Sequence, residues 1–380
     1  MDNKLQADGI NVARPFLPEL AELQPYLEKI WSSSTLTNNG EIHQEFEQAV
    51  ADYLGVKHIS LFANGTLALI VALKVLGMKG EVITTPFTWV ASAQAIHWNN
   101  LRPVFVDIEA EHLNIDPKKI SEAITPKTCA ILPVHIFGNP CDVATIQQIS
   151  DTHKLKVLYD AAHSFGVILN GKTLCDFGDL SVLSFHATKV FSTCEGGAVV
   201  CHDLKTKLQL DALKNNGFTT VGQLAGYGLN AKMNELQAAF GLVQLKSVDR
   251  VIENRKQSFL KYCALLVAVR GIRIINPNEN TKANYAYLPI IIDPGEFGGQ
   301  RDDLLKFLKN HKIFARPYFH PLITDFPAFS MFRKSNLDTA TSISNNILCL
   351  PLFYNISVGE IERVVEVIRD FQKIQSHHRF

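Results

Sequence analysis

The chain has 380 residues, 47% hydrophobic and 19% charged, a globular composition that can bury a large core and excludes disorder over most of its length. Lys and Arg total 37 and so do Asp and Glu, giving zero net charge, which excludes nucleic-acid binding by bulk electrostatics and a polybasic membrane patch. Any anionic ligand must therefore be held by a local site, in a chain long enough for two or three domains.

The N-terminus, Met1 to Gly9, carries charges of both signs and no apolar stretch, so it does not read as a secretion signal. Residues 41–53 then read as an amphipathic helix closed by Gly55, and 58–62 as a strand. A helix over 66–76 follows, then a strand at 82–85, a helix at 90–97 and a strand at 103–108. The uncharged run 82–101 is long enough to suggest a membrane span. It contains Pro86, Gln94, His97, Asn99 and Asn100, which argues against one. A helix at 116–123, a strand at 130–134, a helix at 143–153 and a strand at 157–160 complete the series. Apolar strands alternating with helices predict βαβ units and a mostly parallel sheet covered on both faces.

Beyond residue 160 the rhythm changes. Two strands are expected at 180–185 and 197–201, then one long helix over about 232–266. Thirty-five residues of helix would span roughly 50 Å, too long for one compact domain. That helix is expected to link a large α/β domain, 1–250, to a smaller C-terminal α+β domain, 251–380. The latter should hold strands at 285–292 and 314–318 and helices at 301–310 and 358–371. The seven cysteines are scattered and form no C-x-x-C pair, so neither a metal site nor a disulfide framework is expected, and reduced thiols fit a soluble cytoplasmic protein.

Three segments carry chemistry. Asn64-Gly65-Thr66 joins a strand to a helix, whose start attracts anions such as phosphate. Taken alone it reads as an ordinary Asn-Gly turn with a Thr cap, and it is neither a P-loop nor G-x-G-x-x-G. Asp160 closes a buried strand at the carboxyl edge of the sheet, where α/β folds place ligands. Alone it reads as a helix cap, and His163 as a packed or solvated histidine. Lys189 follows a strand by four residues in Ser184-Phe-His-Ala-Thr-Lys189, ahead of Glu195-Gly-Gly197. An isolated lysine is usually a surface residue, but one among apolar groups loses its proton and becomes a nucleophile for carbonyls. Together an anion cradle, an acid at a sheet edge and a lysine beyond a later strand are the parts that hold pyridoxal phosphate (PLP). Trp89 is the candidate to stack on its ring, with plain core packing as the other reading.

These stretches resemble the DegT/StrS sugar-aminotransferase family of fold-type I PLP enzymes. The likeness is carried by Leu36-Thr-Asn-Asn-Gly40, Asn64-Gly-Thr66, Val106-Asp-Ile108, Asn114-Ile-Asp116, Pro133-Val-His-Ile-Phe-Gly138 and Asp160-Ala-Ala-His163. It continues through Ser184-Phe-His-Ala-Thr-Lys189, Glu195-Gly-Gly197, Met233-Asn-Glu-Leu-Gln237 and Leu348-Cys-Leu-Pro351. The resemblance implies the fold-type I architecture, with a seven-stranded-type sheet. It implies that Lys189 forms an imine with the cofactor and moves the proton, and that Asp160 faces the pyridine nitrogen. His163 would lie near the ring hydroxyl, and Gly65, Thr66 and Ser184 would bind phosphate. Asn230 would reach the phosphate from a partner subunit, making the active unit a homodimer with shared sites. Arg316, in Ala315-Arg-Pro-Tyr-Phe319, is a candidate for contacting substrate, or else a surface arginine. Two departures are Ala63, where the family usually has Gly, and Leu352-Phe-Tyr-Asn near the end, which bears on turn geometry.

Within the family, Thr37-Asn-Asn-Gly40, Gly138-Asn-Pro-Cys-Asp142 and Ser184-Phe-His-Ala-Thr-Lys189 look most like enzymes that aminate C4 of dTDP-4-keto-6-deoxyglucose with glutamate as donor, a step toward O-antigen-type lipopolysaccharide sugars. Three rivals are a PLP-dependent sugar dehydratase, which has His where Lys189 stands, a cysteine desulfurase-like lyase, and a non-catalytic sensor on the same fold. The lyase would need a reactive cysteine, and Cys349 lies in an apolar run that reads as buried.

Overall fold

A computed structural model describes residues 9–332 and 336–377, so most of the N-terminal stretch read above lies outside the described residues. Its centre is a seven-stranded sheet. In chain order the strands are β1 (His58–Phe62), β2 (Glu81–Thr84), β3 (Arg102–Phe105), β4 (Thr128–Leu132), β5 (Lys156–Asp160), β6 (Leu180–Ser184) and β7 (Gly197–Cys201). In space they run β1-β7-β6-β5-β4-β2-β3. Pairings from β6 across to β3 are parallel, and β7 alone runs against both neighbours. The mostly parallel sheet expected from the βαβ rhythm is therefore present. Its strands are apolar runs because helices cover both faces.

Those helices are α1 (Leu20–Ser33), α2 (Glu41–Leu54), α3 (Gly65–Val75), α4 (Ala91–Trp98), α5 (Pro117–Ala123), α6 (Val143–His153) and α7 (Leu204–Lys214). Side-chain caps start several of them: Asp116, Asp142 and Asp203 each accept an N–H from the first turn. A longer-range cap fixes α2. The buried Glu235 carboxylate accepts the N–H groups of Ile42 and His43 at 3.0 and 3.3 Å. This joins Leu36-Thr-Asn-Asn-Gly40 to Met233-Asn-Glu-Leu-Gln237, two stretches nearly two hundred residues apart. Neither α1 nor α7 was expected.

The long helix over 232–266 is two helices, α8 (Glu235–Leu245) and α9 (Val248–Leu266). A capping box of Asn234 and Gln237 starts α8. The break falls at Lys246–Ser247, with no Gly or Pro to announce it, and Val243 and Val248 are buried on either side. Across the break, α8 and the start of α9 bury their apolar faces in one cluster, and the end of α9, Phe259, Tyr262 and Leu266, packs in a second. A three-stranded antiparallel sheet follows, of β8 (Ile272–Ile274), β9 (Leu288–Ile292) and β10 (Ile347–Leu350), ordered β8-β9-β10. The strand expected at 285–292 is shorter, and that at 314–318 shrinks to Ile313–Phe314, which pairs with Ile10–Asn11. The helices α10 (Arg301–Asn310), α11 (Asp338–Asn346) and α12 (Val358–His377) complete the chain. Asp107 accepts the N–H groups of Thr339 and Ala340 at 2.9 and 2.7 Å, tying the edge of the main sheet to the C-terminal part. Among the described residues no helix is long and apolar enough to cross a membrane.

Candidate active site

At the carboxyl end of the main sheet a cleft of about 760 Å³ opens. It is lined by Gly65, Thr66, Trp89, Asp160, His163, Ser184, Lys189 and Arg316, so eight of the nine side chains singled out from sequence share one cavity. Asn230 does not line it. It lies across a bridge from Asn215 and accepts a hydrogen bond from Lys232 Nζ at 2.9 Å.

The floor is the turn from β1 into α3. Asn64 caps the helix, its side chain accepting the Leu67 N–H at 2.9 Å, which leaves the N–H groups of Gly65 and Thr66 without an intrahelical acceptor. Packing here is tight. A Cβ on Gly65 would sit 3.0 Å from the Ser184 Cβ, and one on Gly197 would sit 2.7 Å from the Gly65 nitrogen. Two glycines thus let β6, β7 and the helix start close on one another. The turn is held from behind: Ala63 N–H donates to Ala231 O at 2.8 Å, and Gln237 Nε2 donates to Ala63 O at 3.2 Å. A polar concavity with free N–H groups, the Thr66 hydroxyl and the Ser184 hydroxyl suits a phosphate.

Asp160 ends β5 and is buried. Its Oδ2 accepts the Ser92 hydroxyl at 2.7 Å and its Oδ1 the Ala162 N–H at 3.1 Å. Burial pushes its carboxyl above the usual range, opposed by these two hydrogen bonds and by the charge of Lys189. Ser92 comes from α4, 68 residues earlier, and no motif marks it. The helix-cap reading fails, because Asp160 is followed by a turn rather than a helix.

His163 is buried, and its Nδ1 accepts the Phe137 N–H at 3.1 Å, so the ring proton sits on Nε2. Burial, and then the charge of Lys189, hold it neutral far below its usual range. Asn284 fixes its loop by donating to the carbonyls of His163 and Phe165 at 2.8 and 3.0 Å.

Lys189 lines the cleft on the loop between β6 and β7. Burial lowers its amine to about 8, against the pull of Asp160 and Tyr318, which favours the charge. Trp89 is 50% exposed and lines the same cleft, so it is not a core residue. Arg316 is held by its backbone, which exchanges two hydrogen bonds with Cys349 at 3.0 and 2.7 Å, and its Nη1 donates to the Tyr318 hydroxyl at 2.9 Å. The surface-arginine reading is therefore set aside.

Sequence reasoning missed Tyr287, Tyr318 and Phe319, which form the C-terminal wall. They follow no motif, although Tyr318 and Phe319 stand next to Arg316. His186 also lines the cleft. Its Nδ1 lies 2.9 Å from the Thr188 hydroxyl, and its Nε2 3.7 Å from Glu195. Cys349 is fully buried and its thiol is pushed far up by burial, which leaves it inert.

A model of the DegT/DnrJ/EryC1/StrS aminotransferase family matches residues 19–369. The chain belongs to that family. It is an aminotransferase by descent, with Lys189 on the cleft wall. It is 47% identical over 364 residues to the dTDP-4-amino-4,6-dideoxy-D-glucose transaminase of Shigella dysenteriae, covering 96% of this chain and 99% of that one. The Escherichia coli enzyme of the same name is also 47% identical, over 363 residues, covering 94% and 98%. Among solved structures, DesI in the presence of its TDP-sugar product matches with a TM-score of 0.93 at 32% identity, covering 99% of this chain and 97% of that one. The fold is thus that of the family, with its seven-stranded sheet and small C-terminal sheets.

Proposed function

We propose that this family member transfers the amino group of glutamate to C4 of dTDP-4-keto-6-deoxyglucose, forming dTDP-4-amino-4,6-dideoxyglucose, with PLP as cofactor. The observation that carries the reading is the convergence of Lys189 and Asp160 on one cleft whose floor is an anion-ready helix start. The cradle fits the cofactor phosphate: Gly65 and Thr66 offer N–H groups, and Thr66 and Ser184 offer hydroxyls. Asp160 would face the pyridine nitrogen, with Ser92 and the Ala162 N–H aiming its carboxylate. His163 would give its Nε2 proton to the ring oxygen, and Trp89 would cover the ring face.

When bound, PLP supplies an electron sink that makes the adjacent carbon–hydrogen bond acidic. The chain's own contribution is proton handling and placement. Lys189 Nζ would take the proton from the donor's α-carbon and hand it to the cofactor carbon that carries the nitrogen, and the reverse passage would serve the sugar. An amine already lowered to about 8 spends a useful share of its time neutral near physiological pH. Asn230 would serve the neighbouring cleft in a homodimer, since it does not line its own. The nucleotide and the C4 position are supported by the likeness to the two transaminases, which cover nearly the whole chain.

The test supplies purified protein, PLP, glutamate and dTDP-4-keto-6-deoxyglucose, with products read by mass spectrometry. A product carrying an amine in place of the ketone, with 2-oxoglutarate released in equal amount, is expected. Loss of water without nitrogen gain would establish the dehydratase instead, and a UDP- or GDP-linked sugar turning over faster would correct the nucleotide.

A further inference from the structure

Both half-reactions use one cleft and one lysine, so the cleft must at different times hold an amino acid and a sugar. An amino-acid donor brings carboxylates, and a carboxylate entering a largely enclosed site needs a cation. Among the described residues lining the cleft, only Lys189 and Arg316 are Lys or Arg. Lys189 is committed to the reacting carbon. The two histidines are poor substitutes, since burial depresses both rings.

Arg316 is prepared for such a partner. No carboxylate lies within ion-pair distance of it among the described residues, in contrast to the buried Lys214, which has Asp211 at 2.8 Å. Its one side-chain hydrogen bond goes to a neutral acceptor, the Tyr318 hydroxyl. That leaves most of the guanidinium fork unused. Having accepted from Arg316, the Tyr318 hydroxyl still has its own proton to donate. The backbone bridge to Cys349 keeps the fork at a fixed place on the wall. Arg316 and Tyr318 line the same cleft as Lys189, which puts the pair on the wall of the reacting centre.

We propose that Arg316 and the Tyr318 hydroxyl together anchor a carboxylate of the amino-acid donor during the first half-reaction. The inference rests on the aminotransferase reading and adds to it the group that recognises the donor. The aminated sugar has no carboxylate, so the reverse half-reaction that starts from it should not need this anchor.

The experiment is a stopped-flow comparison of the two cofactor-reducing half-reactions, one with glutamate and one with dTDP-4-amino-4,6-dideoxyglucose. For Arg316→Gln the glutamate concentration giving half-maximal rate should rise about 10- to 100-fold, the range for losing a charged hydrogen-bonded partner, while the aminosugar value moves less than about 3-fold. Tyr318→Phe should raise the glutamate value alone by about 3- to 10-fold, and Arg316→Lys should fall between wild type and Arg316→Gln. Binding of unreactive glutarate, measured by calorimetry on protein without cofactor, should weaken in the same order. Equal losses in both half-reactions would overturn the proposal, and so would a larger loss for the aminosugar, which would assign the fork to the nucleotide's diphosphate. Should Arg316→Gln not fold, Tyr318→Phe and Arg316→Lys decide by the same comparison. A wild-type protein that binds PLP but gives no spectral change with glutamate would sink the aminotransferase reading as well. A wild-type change reproduced unaltered in Arg316→Gln would sink the anchor alone.

Discussion

Lys214 and Lys189 are both drawn in from solvent, and they are treated in opposite ways. Lys214, at the end of α7, is buried with Asp211 at 2.8 Å, Glu47 at 3.8 Å and the Ser60 hydroxyl at 2.9 Å. Lys207 joins the same cluster, 2.7 Å from Glu47 and 2.8 Å from Asp211. Lys189 has no carboxylate within ion-pair distance among the described residues, and Asp160 pulls on it only from further away. A compensated charge locks structure, whereas an uncompensated one is pushed toward giving up its proton. Lys214 stands behind the site: its carbonyl accepts the Ala231 N–H at 2.9 Å, and Ala231 in turn holds Ala63 beside the anion cradle.

Exchanging the two side chains for neutral ones should therefore separate activity from stability. Lys189→Ala should cost at least about 10⁴-fold in turnover, since nucleophile and proton carrier are lost together, with the melting temperature nearly unchanged. Product formation by mass spectrometry and a thermal melt measure both. Lys214→Met should do the reverse. It removes one of the two cations facing Asp211 and Glu47 and leaves Lys207 alone to offset both carboxylates, a loss of about 3 kcal/mol in urea unfolding, the low end for a broken buried pair. Should Lys214→Met unfold at the wild-type denaturant concentration, the contrast drawn here would be wrong.

A smaller change sharpens the contrast from the acid's side. Asp160→Asn keeps the shape and its hydrogen bond with Ser92 but removes the charge, and turnover should fall about 10²- to 10³-fold. Asp160 also favours the charged form of Lys189. Without it the amine should titrate lower. In cofactor-free protein the labelling of Lys189 by an amine-reactive probe should rise through about pH 8 for wild type, and at lower pH for Asp160→Asn. A profile that stays in place would show that the acid does not act on the amine.

Much of this site could be read from sequence because its parts lie at the ends of sheet strands, where an apolar run stops and a chemically distinctive residue follows. Gly65, Asp160, Ser184 and Lys189 are all of that kind. What could not be read was supplied by tertiary packing. Ser92 meets Asp160 from a different crossover, and Tyr287 and Tyr318 reach the cleft from a segment whose pattern gave only strands. The break between α8 and α9 falls among good helix formers. Trp89 shows the limit most plainly, since an aromatic after Pro86 looks the same whether it ends in the core or on a cleft wall, and only its exposure separates the two.

The mildest probe of the compensated region is acid. Burial by itself would raise the Asp211 carboxyl, but Lys214 and Lys207 outweigh it and hold it at about 2. In the unfolded chain the same group titrates near about 3.9. A carboxylate lowered on folding contributes its stability in full above the unfolded value and loses it as pH falls through the folded one. The contribution, roughly 2 kcal/mol, should thus be complete above about pH 4 and fade toward about pH 2. Asp211→Asn removes that titration, so its unfolding free energy should change less than the wild type's across this window. If both proteins lose stability in parallel between pH 4 and pH 2, the cluster is not what holds Asp211 ionised, and the compensation argued for Lys214 fails with it.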